Sequence, residues 1–408
     1  MISFEIPESI RQTVTMIEAV AIEMMRPAAR YFDDHEHEIP WDYINFMHDV
    51  LGAAGGMTMA PSQTPEDGKP RQDYQQLAHY VEALSWGDAG LYLCTPRGGL
   101  GAAAVAASGT SEQKAKFLAR FKGDKPVFSA MAITEPHAGS DTAAIKASAV
   151  RDGDAWVLNG EKIFVTGGHK SLVDTPGFVV VWATIDPSAG RKGIRSFVVE
   201  AGTPGCTVTK VEKKLGIRSS DTASIVLQNC RVPIENMLGK LEEEKRTTEG
   251  YKGVMRTFEA TRPLVAASAL GIARAAIEFL KERLAEHGID IRYGLPRSRL
   301  TNLEREVIDM EIMLRSAWLL TIRAVWMADE RVPIKAEASM SKIKAGDAVV
   351  RITQKAVELL GPLGYSREHL LEKWFRDAKI NDLYEGTGQI NRLIVARRIL
   401  GYSREELS

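Results

Sequence analysis

The chain has 408 residues, 45% of them hydrophobic and 26% charged, with a formal net charge of −1. That length exceeds what one growing core supports, so two or three packed subdomains are expected, and the near-neutral, interleaved charge lacks the global basic field of a nonspecific nucleic-acid binder. Three cysteines far apart, Cys94, Cys206 and Cys230, without C-x-x-C spacing, argue against a disulfide framework or structural zinc and suit a reducing, cytoplasmic setting.

The N-terminal MISFEIPESI has neither a basic region followed by an apolar stretch nor an Arg-rich transit pattern, and no uninterrupted apolar run nears the ~18 residues of a membrane span, so neither export nor insertion is expected. From Glu8 to His35, Ile10, Val14, Ile17, Ala21, Met24 and Ala28 follow the three-and-four spacing of an amphipathic helix, bent at Pro27. Helical stretches follow near Trp41–Leu51, Tyr74–Leu84 and Ser111–Phe121, giving an all-helical region over 1–126. The pattern then changes to short apolar segments rich in Val, Ile and Thr: Val127–Ile133, Ala155–Leu158, Lys162–Thr166, Phe178–Thr184, Ser196–Val199 and Ala223–Leu227. Asn159-Gly160 between two of them reads as a hairpin turn, and an antiparallel β domain is expected over 127–236. Helical periodicity returns over 237–408. Leu270, Ala273, Ile277, Leu280 and Leu284, and then Val307, Met310, Leu314, Ala317 and Thr321, fall on heptad spacing, while a third helix with Val349, Ile352, Ala356 and Leu359 stops at Gly361-Pro362. Such seams suit a four-helix bundle and often an oligomer.

Four local patterns invite chemistry. Thr134–Asp141, TEPHAGSD, could offer Gly139 and Ser140 donors to an anion such as a pyrophosphate, or be a polar turn. Gly99–Ala104 matches G-x-G-x-x-A but lacks a surrounding βαβ unit, so it reads as a small-residue helix contact. His35 and His37 flank Glu36 in a charged segment better read as an exposed loop than as a metal site. Glu385 stands before Gly386 and Thr387 with basic and aromatic neighbours; a Glu-Gly pair ahead of a helix reads either as a cap or as a base that takes a proton from carbon, the latter needing an apolar site to raise its pKa and a donor for the carbanion.

Six segments occur together and in order: TEPHAGSD, NGEKIFVTGG (159–168), KLGIRSSDTA (214–223), VPIENMLG (232–239), FEATRPLVAASALGIARAA (258–276) and LLGPLGYSREHLLEKWFRDAKINDLYEGTGQINRL (359–393). With GTSEQKAKFL (109–118), they resemble the acyl-CoA dehydrogenase family nearly end to end.

The resemblance implies an α+β, acyl-CoA dehydrogenase-like fold: a helical N-terminal domain, a central antiparallel β domain and a C-terminal four-helix bundle, usually assembled as a tetramer around non-covalent FAD. By motif position, Glu385 matches the base that removes the thioester α-proton while the β-hydride passes to flavin N5, giving a 2,3-enoyl-CoA. Thr134, Gly139, Ser140, Phe164 and Thr166 match positions lining the flavin and its phosphates, and Thr387 and Gln389 match positions beside the cofactor. Ser140, Arg262 and Gly386 match positions on the substrate side. In some branches the base immediately precedes the arginine; here that position is Thr261, and Glu259 reads as structural. An electron-transferring flavoprotein is the implied acceptor.

Departures from the pattern stand at Asp290 before Tyr293-Gly294, where an arginine is usual, at Thr301 and Glu358, where glutamines are usual, and at Pro362, which replaces a glycine. Negative charge at such positions would repel a neighbour's pyrophosphate unless Arg292 or Arg297 compensates. Two arrangements remain open, a homotetramer and a heteromer sharing FAD with a paralogue, with a flavin monooxygenase or oxidase on the same fold as a more distant reading. The acyl group is not readable from the sequence.

Overall fold

The computed structural model describes residues 6–53, 73–96, 98–240, 248–402 and 406. The N-terminal region is helical: α1 (Glu8–Val20), α2 (Arg26–Asp34), α3 (Trp41–Ala53), α4 (Asp73–Tyr92), α5 (Leu100–Ser108) and α6 (Ser111–Leu118). The break expected at Pro27 takes the form of a π-helical turn, Ala21–Met25, between α1 and α2, which absorbs the donor that Pro27 lacks. α4 runs eight residues beyond the expected Leu84, with a kink at Asp88 (φ −162°). The small-residue stretch after Gly99 forms α5, which packs on the first strand, and Ala102 N–H donates to Ser129 Oγ at 2.8 Å. His35 and His37 are exposed, as expected.

The middle region is one seven-stranded sheet: β1 (Ser129–Ala132), β2 (Ser148–Asp152), β3 (Ala155–Thr166), β4 (Phe178–Thr184), β5 (Ile194–Glu200), β6 (Cys206–Val211) and β7 (Thr222–Pro233). Two expectations are corrected. The sheet is mixed, because β1 and, at one position, β2 pair with β4 in parallel. Asn159-Gly160 is no hairpin: it lies inside the continuous β3, at a bulge against β7, while the turn joining β2 to β3 is at Gly153, φ 63°. Gly160 has φ 145°, and a Cβ there would lie 2.6 Å from that of Ala147, so the glycine serves strand contact instead of a turn.

The C-terminal region contains α7 (Glu249–Glu286), α8 (Asn302–Asp329), α9 (Lys335–Leu360), α10 (Pro362–Tyr365), α11 (Leu371–Ala378) and α12 (Gly388–Leu400). α7 packs against α4, α8 and α9, and α12 lies on α9. Leu270, Ala273, Ile277 and Leu280 of α7 share a core with Val307 and Met310 of α8 and Val349 and Ile352 of α9, as the heptad spacing predicts. α7 is apolar and long enough to cross a bilayer, but its apolar window is 72% buried inside the protein.

A buried charge cluster fixes the three regions to one another. Lys373 Nζ on α11 bridges Asp88 on α4 and Asp377 on α11, and Asp377 Oδ1 accepts the Ile217 N–H at 2.6 Å from the loop between β6 and β7. Lys373, Asp88 and Asp377 are wholly buried, so each charge depends on the others for compensation. The 3₁₀ turn Lys379–Asp382, which follows α11 directly, leads into Glu385. The cluster therefore anchors the Glu385 segment against both other regions.

Candidate active site

Between Asp382 and α12 the backbone makes an uncommon turn. Glu385 (φ 54°) and Gly386 (φ 92°) are consecutive left-handed residues, a conformation that glycine adopts freely and glutamate only at a cost of about 1–3 kcal/mol. The surroundings hold it. Arg262 Nε of α7 donates to the Glu385 carbonyl at 3.2 Å, while Lys342 Nζ of α9 and Asn391 Nδ2 of α12 both donate to the Gly386 carbonyl at 2.7 Å. Thr387 then caps α12, its Oγ1 accepting from Ile390 N–H at 3.3 Å. With both carbonyls drawn to these donors, the N–H groups of Gly386 and Thr387, antiparallel to them across planar peptides, face the opposite way.

The Glu385 carboxylate is half-buried, and Thr261 Oγ1 of α7 lies 2.6 Å from its Oε2. Burial pushes its pKa above the usual carboxylate range; donation from Thr261 and the charges of Arg262 and Lys342 pull it partly back. Tyr92 of α4 and Tyr384 are close enough for the Glu385 charge to add to the upward shift that burial gives their phenols. Glu385 stands two residues before the N-cap of α12, and its side chain turns to Thr261 instead of capping: Thr387 performs that role. Glu259 is half-buried on α7 and adds only a favourable charge beside Arg262.

A second cluster lies on the sheet. Ile163 N–H donates to the Thr134 carbonyl at 3.0 Å, and Lys162 Nζ donates to the Glu135 carboxylate at 2.6 Å. Glu135 also accepts from Lys146 and Ala147 N–H groups, so this motif acid is a strut beneath the loop. Above it, Phe164 is 62% exposed with φ 57°, beside half-buried Thr134 and Thr166. Gly139 and Ser140 are exposed, with open space where a Gly139 side chain would stand.

The structure thus brings Glu385, Gly386, Thr387 and Arg262 together, and separately Thr134, Phe164 and Thr166. Two links join the groups. Thr142 Oγ1 is 3.1 Å from Tyr251 Oη at the start of α7, and Phe258 of α7 shares an apolar cluster with Met131 and Ile133 while the Arg262 guanidinium lies 5.6 Å above its ring. Gln389 is exposed on the first turn of α12 and takes no part in either network. Lys342 and Asn391 were not foreseen. Among the described residues, no cluster could hold a metal ion.

Residues 7–123, 130–230 and 248–400 match, in turn, the N-terminal, middle and C-terminal domains of acyl-CoA dehydrogenase. The chain belongs to the acyl-CoA dehydrogenase family. It is an oxidoreductase by that membership. The mitochondrial short-chain specific acyl-CoA dehydrogenase of Rattus norvegicus is 33% identical over 405 residues, covering 98% of this chain and 92% of the relative. Butyryl-CoA dehydrogenase from Megasphaera elsdenii superimposes with a TM-score of 0.82 at 29% identity, covering 98% of this chain and all of that one. A chain in the structure described as the electron transferring flavoprotein of Acidaminococcus fermentans gives 0.83 at 32% identity, with the same coverage. Within this acyl-CoA dehydrogenase, the Glu385 turn falls in the C-terminal family domain and the Phe164 cluster in the middle one.

Proposed function

We propose that this chain dehydrogenates a short acyl-CoA thioester between its α and β carbons, with FAD as cofactor and Glu385 as base. The observation that carries the reading is the Glu385 carboxylate, lifted by burial and held by Thr261, on a turn whose two carbonyls are pinned from behind. A base must sit near the pH at which it works, and burial moves a carboxylate in that direction. Thr261 orients the carboxylate toward the α-carbon. The acyl group enters with its thioester carbonyl toward the backbone donors of the Glu385 turn, where negative charge develops as the α-proton leaves.

The sheet-side residues fit a flavin. An aromatic ring held out of the sheet in a left-handed conformation, with hydroxyls of Thr134 and Thr166 nearby and open space at Gly139, offers a planar face and polar donors. Thr134, Phe164, Thr166, Thr387 and Gln389 would hold the ring system, with Gly139 and Ser140 toward the phosphates. Bound FAD supplies the acceptor for the β-hydride. The α-proton goes to Glu385 and the product is the 2,3-enoyl thioester. The relatives named for short-chain and butyryl substrates support a short acyl group, and the electron transferring flavoprotein structure supports such a partner as the electron acceptor. Anaerobic mixing of the FAD-loaded protein with butyryl-CoA tests this: the flavin absorbance should bleach and a 2,3-enoyl-CoA should appear by mass spectrometry. An unchanged flavin spectrum with butyryl-CoA and its four- to eight-carbon homologues would reject it.

One observation favours a heteromeric arrangement over a homotetramer. Arg292 and Arg297, the cations that could offset Asp290, are each committed to an acid on α8: Arg292 Nε to Glu304 at 2.7 Å and Arg297 to Asp309 at 2.7 Å. Glu358, by contrast, has its charge offset by Lys355 at 2.6 Å, so of those two acids Asp290 is the one left without a cation of its own among the described residues. FAD stoichiometry of the chain purified alone separates the arrangements, a homotetramer holding one per subunit and a mixed assembly fewer.

A further inference from the structure

Lys342 is a buried cation that the reaction as described does not use. It is 1% exposed on α9, among small and apolar neighbours such as Ala338, Ser341 and Ala345, all buried. Its hydrogen bond goes to a backbone carbonyl, that of Gly386 at 2.7 Å. A lysine taken out of water for one neutral acceptor is poorly repaid, since a carbonyl compensates an ammonium less well than a carboxylate does. A neutral residue would hold the turn at lower cost, because Asn391 already donates to the same oxygen at 2.7 Å. The feature that a neutral donor cannot supply is charge, next to the base.

We propose that Lys342 is a positioning residue for Glu385, its ammonium gripping the Gly386 carbonyl to fix the turn and supplying positive charge against which the carboxylate is held ionised. The proposal rests on Glu385 being the base. Three packed elements and the lysine's own helix present charged groups to Lys342. Arg262 stands on α7, Glu385 on the turn itself, and Asp382 on the preceding 3₁₀ turn, paired with Lys379 at 3.0 Å. Asp347 lies on the lysine's own helix and is paired with Arg392 of α12 at 2.6 Å. Asp382 and Asp347 thus each have a cation of their own. Lys342 and Arg262 are the cations that act on Glu385, and they reach opposite ends of the turn: Arg262 the carbonyl of Glu385, Lys342 that of Gly386. Burial lowers the lysine to about 8, so it remains charged at neutral pH and loses that charge under mildly alkaline conditions.

The pull of Lys342 on Glu385 is separable from its grip on the turn. Lys342→Met removes charge and donor; Lys342→Gln keeps a donor and removes the charge. In anaerobic flavin reduction by butyryl-CoA, both should move the acid limb of the pH profile upward by about half a unit or more, while Gln alone should recover part of the rate that Met loses. Infrared titration of the Glu385 carboxyl stretch, identified by difference against Glu385→Gln, should show the same upward displacement without any turnover. Profiles and titrations that coincide with those of the parent protein would overturn the proposal, as would loss of the fold in both variants, which would leave Lys342 a structural residue. Failure of the parent to reduce its flavin would count against the dehydrogenase reading, and the infrared titration would still decide the role of Lys342.

Discussion

Thr261 Oγ1 lies 2.6 Å from Glu385 Oε2 and 3.0 Å from the Thr257 carbonyl, one helical turn back. A hydroxyl has a single proton and can donate to only one of these at a time. When Glu385 is ionised the proton is best spent on the carboxylate, and when Glu385 has taken a proton the carboxyl can donate to Thr261, freeing the hydroxyl for Thr257. The threonine therefore suits both states of the base.

Thr261→Val removes the donor that favours the ionised form, so the acid limb of flavin reduction should move to higher pH and the rate at neutral pH should fall about 10-fold. Thr261→Ser should retain most of the rate. Stopped-flow profiles of the two variants check this; a valine variant with an unshifted limb would detach Thr261 from the base.

Glu385 also links activity to stability, and the sign can be worked out. Its folded pKa is raised, so the group adds stability that is fully present below its unfolded pKa and is lost as pH rises through the folded value. At neutral pH the ionised carboxylate is therefore a cost, although the proposed role as base requires it. Glu385→Gln should melt about 1–3 °C higher than the parent at neutral pH, with the gain shrinking toward acid conditions. Thermal melts across pH would show it.

Lys373→Met would leave Asp88 and Asp377 buried without their cation, and should destabilise the chain by about 3–5 kcal/mol in chemical denaturation. Because the same cluster anchors the segment leading to Glu385, flavin reduction should also slow in protein that remains folded. Retention of full stability would show that the acids are neutral or solvated in solution.

Gly160→Ala should cost about 2–4 kcal/mol, from a left-handed φ of 145° and a contact of 2.6 Å with Ala147. That residue also marks where sequence and structure part company. Asn-Gly is a strong turn signal locally, but long pairing of β3 with β7 overrides it, and Gly153-Asp154 makes the turn instead. Helices were legible because their apolar spacing is set by neighbours a few residues away: Leu270, Ala273 and Ile277 lie in the core as the heptads require. The parallel pairing of β1 with β4 was not, since it joins segments with about 45 residues between them that carry no common pattern. Glu385 could be located through the ordered motifs, but the residues that hold it come from α7, α9 and α12. Lys342 left one trace, a lone charge at the buried face formed by Ala338, Ser341 and Ala345, and nothing in its own segment ties it to Gly386.

If Glu385 takes the α-proton, single-turnover flavin reduction under anaerobic conditions depends on its carboxylate. With butyryl-CoA, Glu385→Gln should keep its FAD and bind the thioester, yet bleach at least about 1,000-fold more slowly than the parent, since an amide cannot accept the proton; Glu259→Gln should stay close to the parent rate. A Glu385→Gln protein that bleaches its flavin at near the parent rate would show that another group takes the α-proton.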